Sequence, residues 1–192
     1  MKKVLTCLIV IICALNSWAQ TPLLKTVEKP DAATPTLRAD GLLHSHWTQD
    51  FPYNQFCPRD PVNGNAYSVA GCPAVAMGQI INYLQTTEGT RFTDDDDYNH
   101  YYAGRNYVID DDWASLKFPS FPMLNEMLDS IDATFQRGEV LSDELAAALV
   151  FACGTALKQV YTSEASGTFY VDQAFEAYHR FGFVDCVLFR DP

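Results

Sequence analysis

Cys72 stands in Ala70-Gly71-Cys72-Pro73, directly ahead of the run Ala-Val-Ala-Met-Gly-Gln-Ile-Ile-Asn-Tyr-Leu-Gln. A thiol is a useful nucleophile only as thiolate, and a cysteine at a helix N-terminus gains from the unpaired backbone N–H groups and the macrodipole there. The run is apolar nearly all round and predicts a buried helix over residues 73–85. Pro73 takes its first position, where a missing N–H costs nothing, and Cys72 takes the N-cap. On spacing alone Cys72 is also readable as a small buried hydrophobe or as half of a disulfide.

The remaining chemistry-bearing residues carry weaker signals. Cys57, Cys153 and Cys186 read as buried thiols or a partial disulfide set, with Cys153 packed on a core helix. No CxxC pair occurs, and His44, His46, His100 and His179 lack the spacing of a zinc site. His44 and His46 read as surface residues, His100 as part of an exposed acidic loop, and His179 as a helix-surface or edge residue. Asp94 to Asp97 would need Gly at the sixth and Glu at the twelfth position to form an EF-hand loop, where Asn99 and Arg105 stand. A solvated acidic loop is the expectation, with no metal and no cofactor.

Composition narrows the class. The 192 residues are 48% apolar and 19% charged, an ordinary globular balance for one domain. With 13 Lys and Arg against 24 Asp and Glu, the net charge of −11 leaves no source of phosphate neutralisation, so no nucleic-acid partner is expected. Lys2 and Lys3 precede an apolar run from Val4 to Leu15, and Ser17-Trp18-Ala19 offers small residues for cleavage. Residues 1–19 thus read as a signal peptide, too short to span a bilayer as a permanent helix. Cys7 and Cys13 leave with it. The mature protein is expected to be secreted, extracellular or periplasmic, with no membrane association after cleavage. Residues 20–40, with Pro22, Pro30 and Pro35, read as an extended leader, and residues 41–192 as the folded domain.

The elements that must position Cys72 follow from periodicity. Residues 42–68, rich in aromatics, Pro, Asn and Gly, predict structured loop. Residues 94–113 form an acidic, Tyr-rich insertion. Phe121, Leu124, Leu128 and Ile131 make the stripe of an amphipathic helix that Pro122 can start. Ser142, Asp143 and Glu144 open a core helix over residues 145–160, whose alanines and Gly154 permit close approach to the Cys72 helix. Residues 171–181 predict a third helix ended by Gly182, and residues 183–189 a strand.

Two separated segments, Trp47-Thr48-Gln49-Asp50-Phe51-Pro52-Tyr53-Asn54 and Ala70-Gly71-Cys72-Pro73-Ala74-Val75-Ala76-Met77-Gly78-Gln79-Ile80, together resemble the streptopain family of secreted bacterial cysteine peptidases. That family's pattern is roughly W-x-Q-x-x-P-Y-N, a loop, then G-C-V-A-T-A-x-A-Q-I before a long helix. The resemblance covers about residues 42–190. Pro73 stands where Val is commoner and Gly78 where Ala is common. An α+β, papain-like fold is implied, mainly its helical N-terminal half with an incomplete β half. Cys72 falls on the nucleophile. Gln49 falls on the glutamine whose side-chain N–H₂ forms the oxyanion hole with the Cys72 backbone N–H, a neutral donor suited to that task. Without the resemblance, Gln49 reads as a loop-stabilising hydrogen bonder.

The resemblance also implies a general-base His far downstream, in a glycine-flanked strand followed by a Trp-rich motif. Only 120 residues follow Cys72, with no Gly-His-Ala segment and no Trp after Trp113. The expected function is therefore secreted cysteine endopeptidase action on protein or peptide substrates, with this sequence lacking the base. The alternative is a catalytically inactive secreted binding or inhibitory module on the same scaffold.

Overall fold

The computed structural model describes residues 43–188. The signal-peptide and leader expectations, and Phe189 of the predicted strand, lie outside the described residues.

A turn-rich segment leads into β1 (Arg59–Asp60) and β2 (Ala66–Tyr67), an antiparallel pair of two residues each. The chain then enters α1 (Cys72–Leu84), which ends at Gln85 in the left-handed conformation. A 3₁₀ turn at Asp94–Asp96 precedes the hairpin of β3 (Tyr98–Tyr102) and β4 (Arg105–Ile109). Four helices follow: α2 (Trp113–Leu116), α3 (Phe121–Gln136), α4 (Asp143–Ala156) and α5 (Val171–Arg180). The described residues thus combine five helices with two small antiparallel sheets, an α+β arrangement.

Helix α4 is central because it is apolar on every side. All its residues from Ala146 to Thr155 are buried, and it packs against α1, α3 and α5. Ser142 caps it, its hydroxyl accepting from the Leu145 N–H at 3.3 Å. Small residues allow the close approach to α1: a Cβ on Gly78 would lie 3.1 Å from the Trp47 ring and 3.4 Å from Val150. Helix α3 turns Phe121, Leu124, Leu128, Ile131 and Phe135 inward, the predicted stripe extended by one turn. On α5 the predicted Gly182 stands just past the end at φ +81, as a terminating glycine should.

Residues 94–113 depart from expectation. Within what the sequence reads only as an acidic, Tyr-rich insertion, they hold a folded hairpin turned by Ala103 and Gly104, both at positive φ. The period-two burial of Arg105, Tyr107 and Ile109 is hidden in the sequence because its first member is charged. Arg105 can be buried because Asp60 receives it with both oxygens, at 2.9 and 2.7 Å. Asp60 also accepts from the Ser163 N–H and hydroxyl, both at 2.8 Å, and from the Val62 N–H. Burial acts to raise the Asp60 pKa, but Arg105 and these hydrogen bonds outweigh it and hold the carboxyl well below its usual range. Nor is the acidic run wholly solvated: Asp96 forms a two-pronged ion pair with Arg180 of α5, at 2.5 and 2.6 Å.

His100, expected in an exposed loop, is fully buried on β3 and stacks on Tyr107 with centroids 4.1 Å apart. Its Nε2 stands 2.6 Å from the Tyr161 N–H and 3.1 Å from the Tyr161 carbonyl oxygen, so the Tyr161 backbone holds the ring. Desolvation lowers the His100 pKa, and the nearby Arg105 charge acts in the same direction. The predicted strand over residues 183–189 is also not formed across its described part, where residues 183–188 are turn and coil. An apolar run gains strand structure only beside a neighbour that pairs its backbone, and none of the described strands lies next to it.

Candidate active site

Helix α1 begins one residue earlier than expected. Gly71, not Cys72, is the N-cap: its carbonyl accepts from the Val75 N–H at 3.1 Å, and its φ of +84 is one that only glycine adopts readily. Cys72 is the first helical residue and Pro73 the second. No side chain caps this terminus among the described residues, and Pro73 removes one of its donors. The Cys72 thiol is solvent-exposed.

From Cys72, one stripe of α1 carries Val75, Ala76 and Gln79, at helical spacings of three, four and seven. This stripe forms one wall of an open groove of about 440 Å³, whose other wall is Trp47, Thr48, Gln49 and Asp50. Cys72 and Gln49, joined by the sequence motifs, therefore face the same space. Three sets of contacts sew the walls together. The Gln79 amide oxygen accepts from the Ser45 hydroxyl at 3.0 Å and from the Trp47 N–H at 3.3 Å. The Ala70 N–H donates to the Gln49 carbonyl at 2.8 Å, two residues before Cys72. The Trp47 ring stacks on Tyr53 and lies over Gly78.

No histidine lines the groove among the described residues. His100 serves the hairpin, and His179 meets Phe175 edge-on along α5. The Cys57 and Cys153 thiols are free and fully buried, and desolvation pushes both up, which disfavours the thiolate. Among the described cysteines only Cys72 therefore joins exposure to a helix start and a groove. The sequence reading missed Gln79, although it lies two turns from Cys72 on the same helix face, and that spacing was the available signal.

The model of the peptidase C10 family, the streptopain family, matches residues 47–189, beginning on the Trp47 wall of the groove. The chain belongs to the peptidase C10 family. Membership supports a function of the cysteine-peptidase kind, for which the groove supplies a thiol. No match was found among curated proteins. Among solved structures, this peptidase C10 chain is similar to the active wild-type interpain A cysteine protease of Prevotella intermedia, at 22% identity and a TM-score of 0.46. That similarity covers 74% of this chain and 54% of the other, so this chain spans about half the length of the protein it matches.

Proposed function

We propose that this chain supplies the nucleophile half of a secreted cysteine endopeptidase. Cys72 Sγ attacks the carbonyl carbon of a peptide bond, and the resulting oxyanion is received by the Cys72 N–H and the Gln49 side-chain amide. The amide C–N bond then breaks, the amine leaves with a proton from a general acid, and water hydrolyses the thioester. The observation that carries this reading is the shared groove: Cys72 opens α1 against Gln49, and Ala70 ties the Gln49 backbone to the nucleophile turn. Secretion is supported by the signal-like residues 1–19, followed on this reading by the leader 20–40 and the peptidase domain 41–192. No helix among the described residues is long and apolar enough to cross a membrane.

No histidine lines the groove among the described residues, so on this reading the general base comes from outside them. The same observation favours a second reading, a catalytically silent binding or inhibitory module. Reading the coding sequence beyond Pro192 separates the two. A glycine-flanked His followed by a Trp-rich strand, in frame or after one frameshift, supports the peptidase; its absence supports the silent module. The nucleophile itself is tested with iodoacetamide at pH 6, where Cys72 of the folded chain should be alkylated faster than in the urea-unfolded chain. An equal or slower folded rate removes Cys72 from the proposed role.

A further inference from the structure

We propose that Gln159 is a positioning residue for the nucleophile, acting through Ala70 and Gly71, an inference that rests on the reading of Cys72 and Gln49 above. Gln159 lies just beyond α4 and is fully buried. Its Nε2 donates to the Ala70 carbonyl at 2.7 Å, while the Ala70 N–H donates to the Gln49 carbonyl at 2.8 Å. One residue thus receives the Gln159 amide on one side and reaches the oxyanion glutamine on the other, two positions before Cys72.

The amide is also wedged in place. A Cβ on Gly71 would lie 2.7 Å from Gln159 Oε1, and a Cβ on Gly154 of α4 would lie 2.9 Å from Nε2. Gly71 makes room for this side chain, and Gly154 on the core helix makes room for it together with the Tyr161 hydroxyl, the nearest atom there. The backbone that carries it is anchored independently. The Gln159 N–H donates to the Gly154 carbonyl at 3.1 Å, and the Tyr98 hydroxyl donates to the Gln159 carbonyl at 2.9 Å. Two residues on, Tyr161 is held by His100, and the Val69 N–H donates to the Thr162 carbonyl at 3.0 Å. The hairpin and α4 therefore hold Gln159, and Gln159 holds the turn that aims Cys72.

Gln159 Oε1 has no hydrogen-bond partner among the described residues. An apolar side chain of equal length would avoid leaving that oxygen unpaired, so packing alone does not account for a glutamine here. The amide stands beside the buried Tyr161 hydroxyl and adds the donor to Ala70. Without it, the Ala70–Gly71 peptide and the Cys72 N–H after it lose a fixed orientation.

Alkylation of the full chain tests this without requiring turnover, since the Cys72 thiolate displaces iodide from iodoacetamide unaided. In the unsubstituted chain the ratio of folded to urea-unfolded rates at pH 6 reports the nucleophile reading. In Gln159→Met the ratio should fall by up to about tenfold, the worth of one hydrogen bond expressed as a rate. The Gly71 amide ¹⁵N resonance should shift with it, because Gly71 shares its peptide with the Ala70 carbonyl. If the unsubstituted ratio exceeds one and Gln159→Met leaves both ratio and resonance unchanged, the positioning role is overturned and the nucleophile reading stands. If the unsubstituted ratio is one or less, the nucleophile reading falls and this inference falls with it. Should Gln159→Met not melt cooperatively, Gln159→Asn, too short to reach Ala70, replaces it. In the unsubstituted chain itself the Gln159 side-chain amide protons should exchange slowly with solvent, and rapid exchange overturns the inference.

Discussion

Substituting Gly71 by alanine should destabilise the chain by about 3 kcal/mol, through two separable effects. The first is backbone strain: at φ +84 an L-residue costs about 1–2 kcal/mol relative to glycine. The second is collision. The new Cβ would lie 2.7 Å from Gln159 Oε1 and 3.0 Å from its Nε2, inside ordinary contact. Gln159 is the flexible partner, but it is fully buried with Gly154 behind it, so it cannot swing aside and keep its bond to Ala70. Losing that bond while leaving the carbonyl buried costs about 1–3 kcal/mol. A double-mutant cycle separates the effects. In a Gln159→Ala background the collision disappears and only the strain remains, so Gly71→Ala should cost about 1–2 kcal/mol there. Urea unfolding of the four chains gives the energies, provided the slopes agree. A cost for Gly71→Ala below about 1 kcal/mol in the unsubstituted background, or the same cost in both, would refute the contact as described.

Four further outcomes follow from buried and exposed groups. Asp60→Ala should destabilise by about 3–5 kcal/mol in urea unfolding, since it strands the buried Arg105 charge, and a cost under about 1 kcal/mol would show the pair to be dispensable. Because the Asp60 pKa is held below its unfolded value, its contribution is present above about pH 4 and lost as pH falls toward the folded pKa. Asp60→Asn should flatten that acid limb. The His100 pKa is lowered by burial, so the unfolded chain binds the proton first and stability should decline as pH falls below about 6.5. His100→Gln should show a smaller drop in urea midpoint between pH 7 and pH 5.5, and an unchanged drop would acquit His100. Finally, peptide mapping after brief iodoacetamide treatment of the folded chain should find Cys72 modified while Cys57 and Cys153 stay unmodified until urea is added.

The helices were legible where burial follows a simple period. The stripe from Phe121 to Ile131, the capping Ser142 and the apolar run after it, and the terminal Gly182 each act within a few residues, and each element formed where that local signal predicts, although α4 ends at Ala156 and not at residue 160. The hairpin of β3 and β4 was not legible, because its buried face carries Arg105 and His100 in place of apolar residues. Their burial depends on Asp60 and on the backbone of Tyr161, partners 45 and 61 residues away. Charge that reads as solvent exposure in one dimension is neutralised in three. The strand expected after residue 182 failed for the opposite reason. Its apolar pattern is clear, but pairing is a property of neighbours, and the described chain offers it none.

The candidate site divides the same way. Cys72 and Gln49 were legible as types within motifs, and the groove brings both to one space; the helix start differed by one residue because Gly71 supplies the capping carbonyl. What surrounds them was not legible. Gly71 and Gly154 are 83 positions apart, and each taken alone reads as a local convenience, a sharp turn or a close helix contact. Only the folded chain shows both glycines bordering one amide, with the Tyr161 hydroxyl nearest to Gly154, and the bond from that amide to Ala70 ties them to the nucleophile turn. A substitution at Gly71 should therefore disturb the turn before Cys72 directly, whereas one at Gly154, which meets the Tyr161 hydroxyl first, should reach that turn only through Gln159.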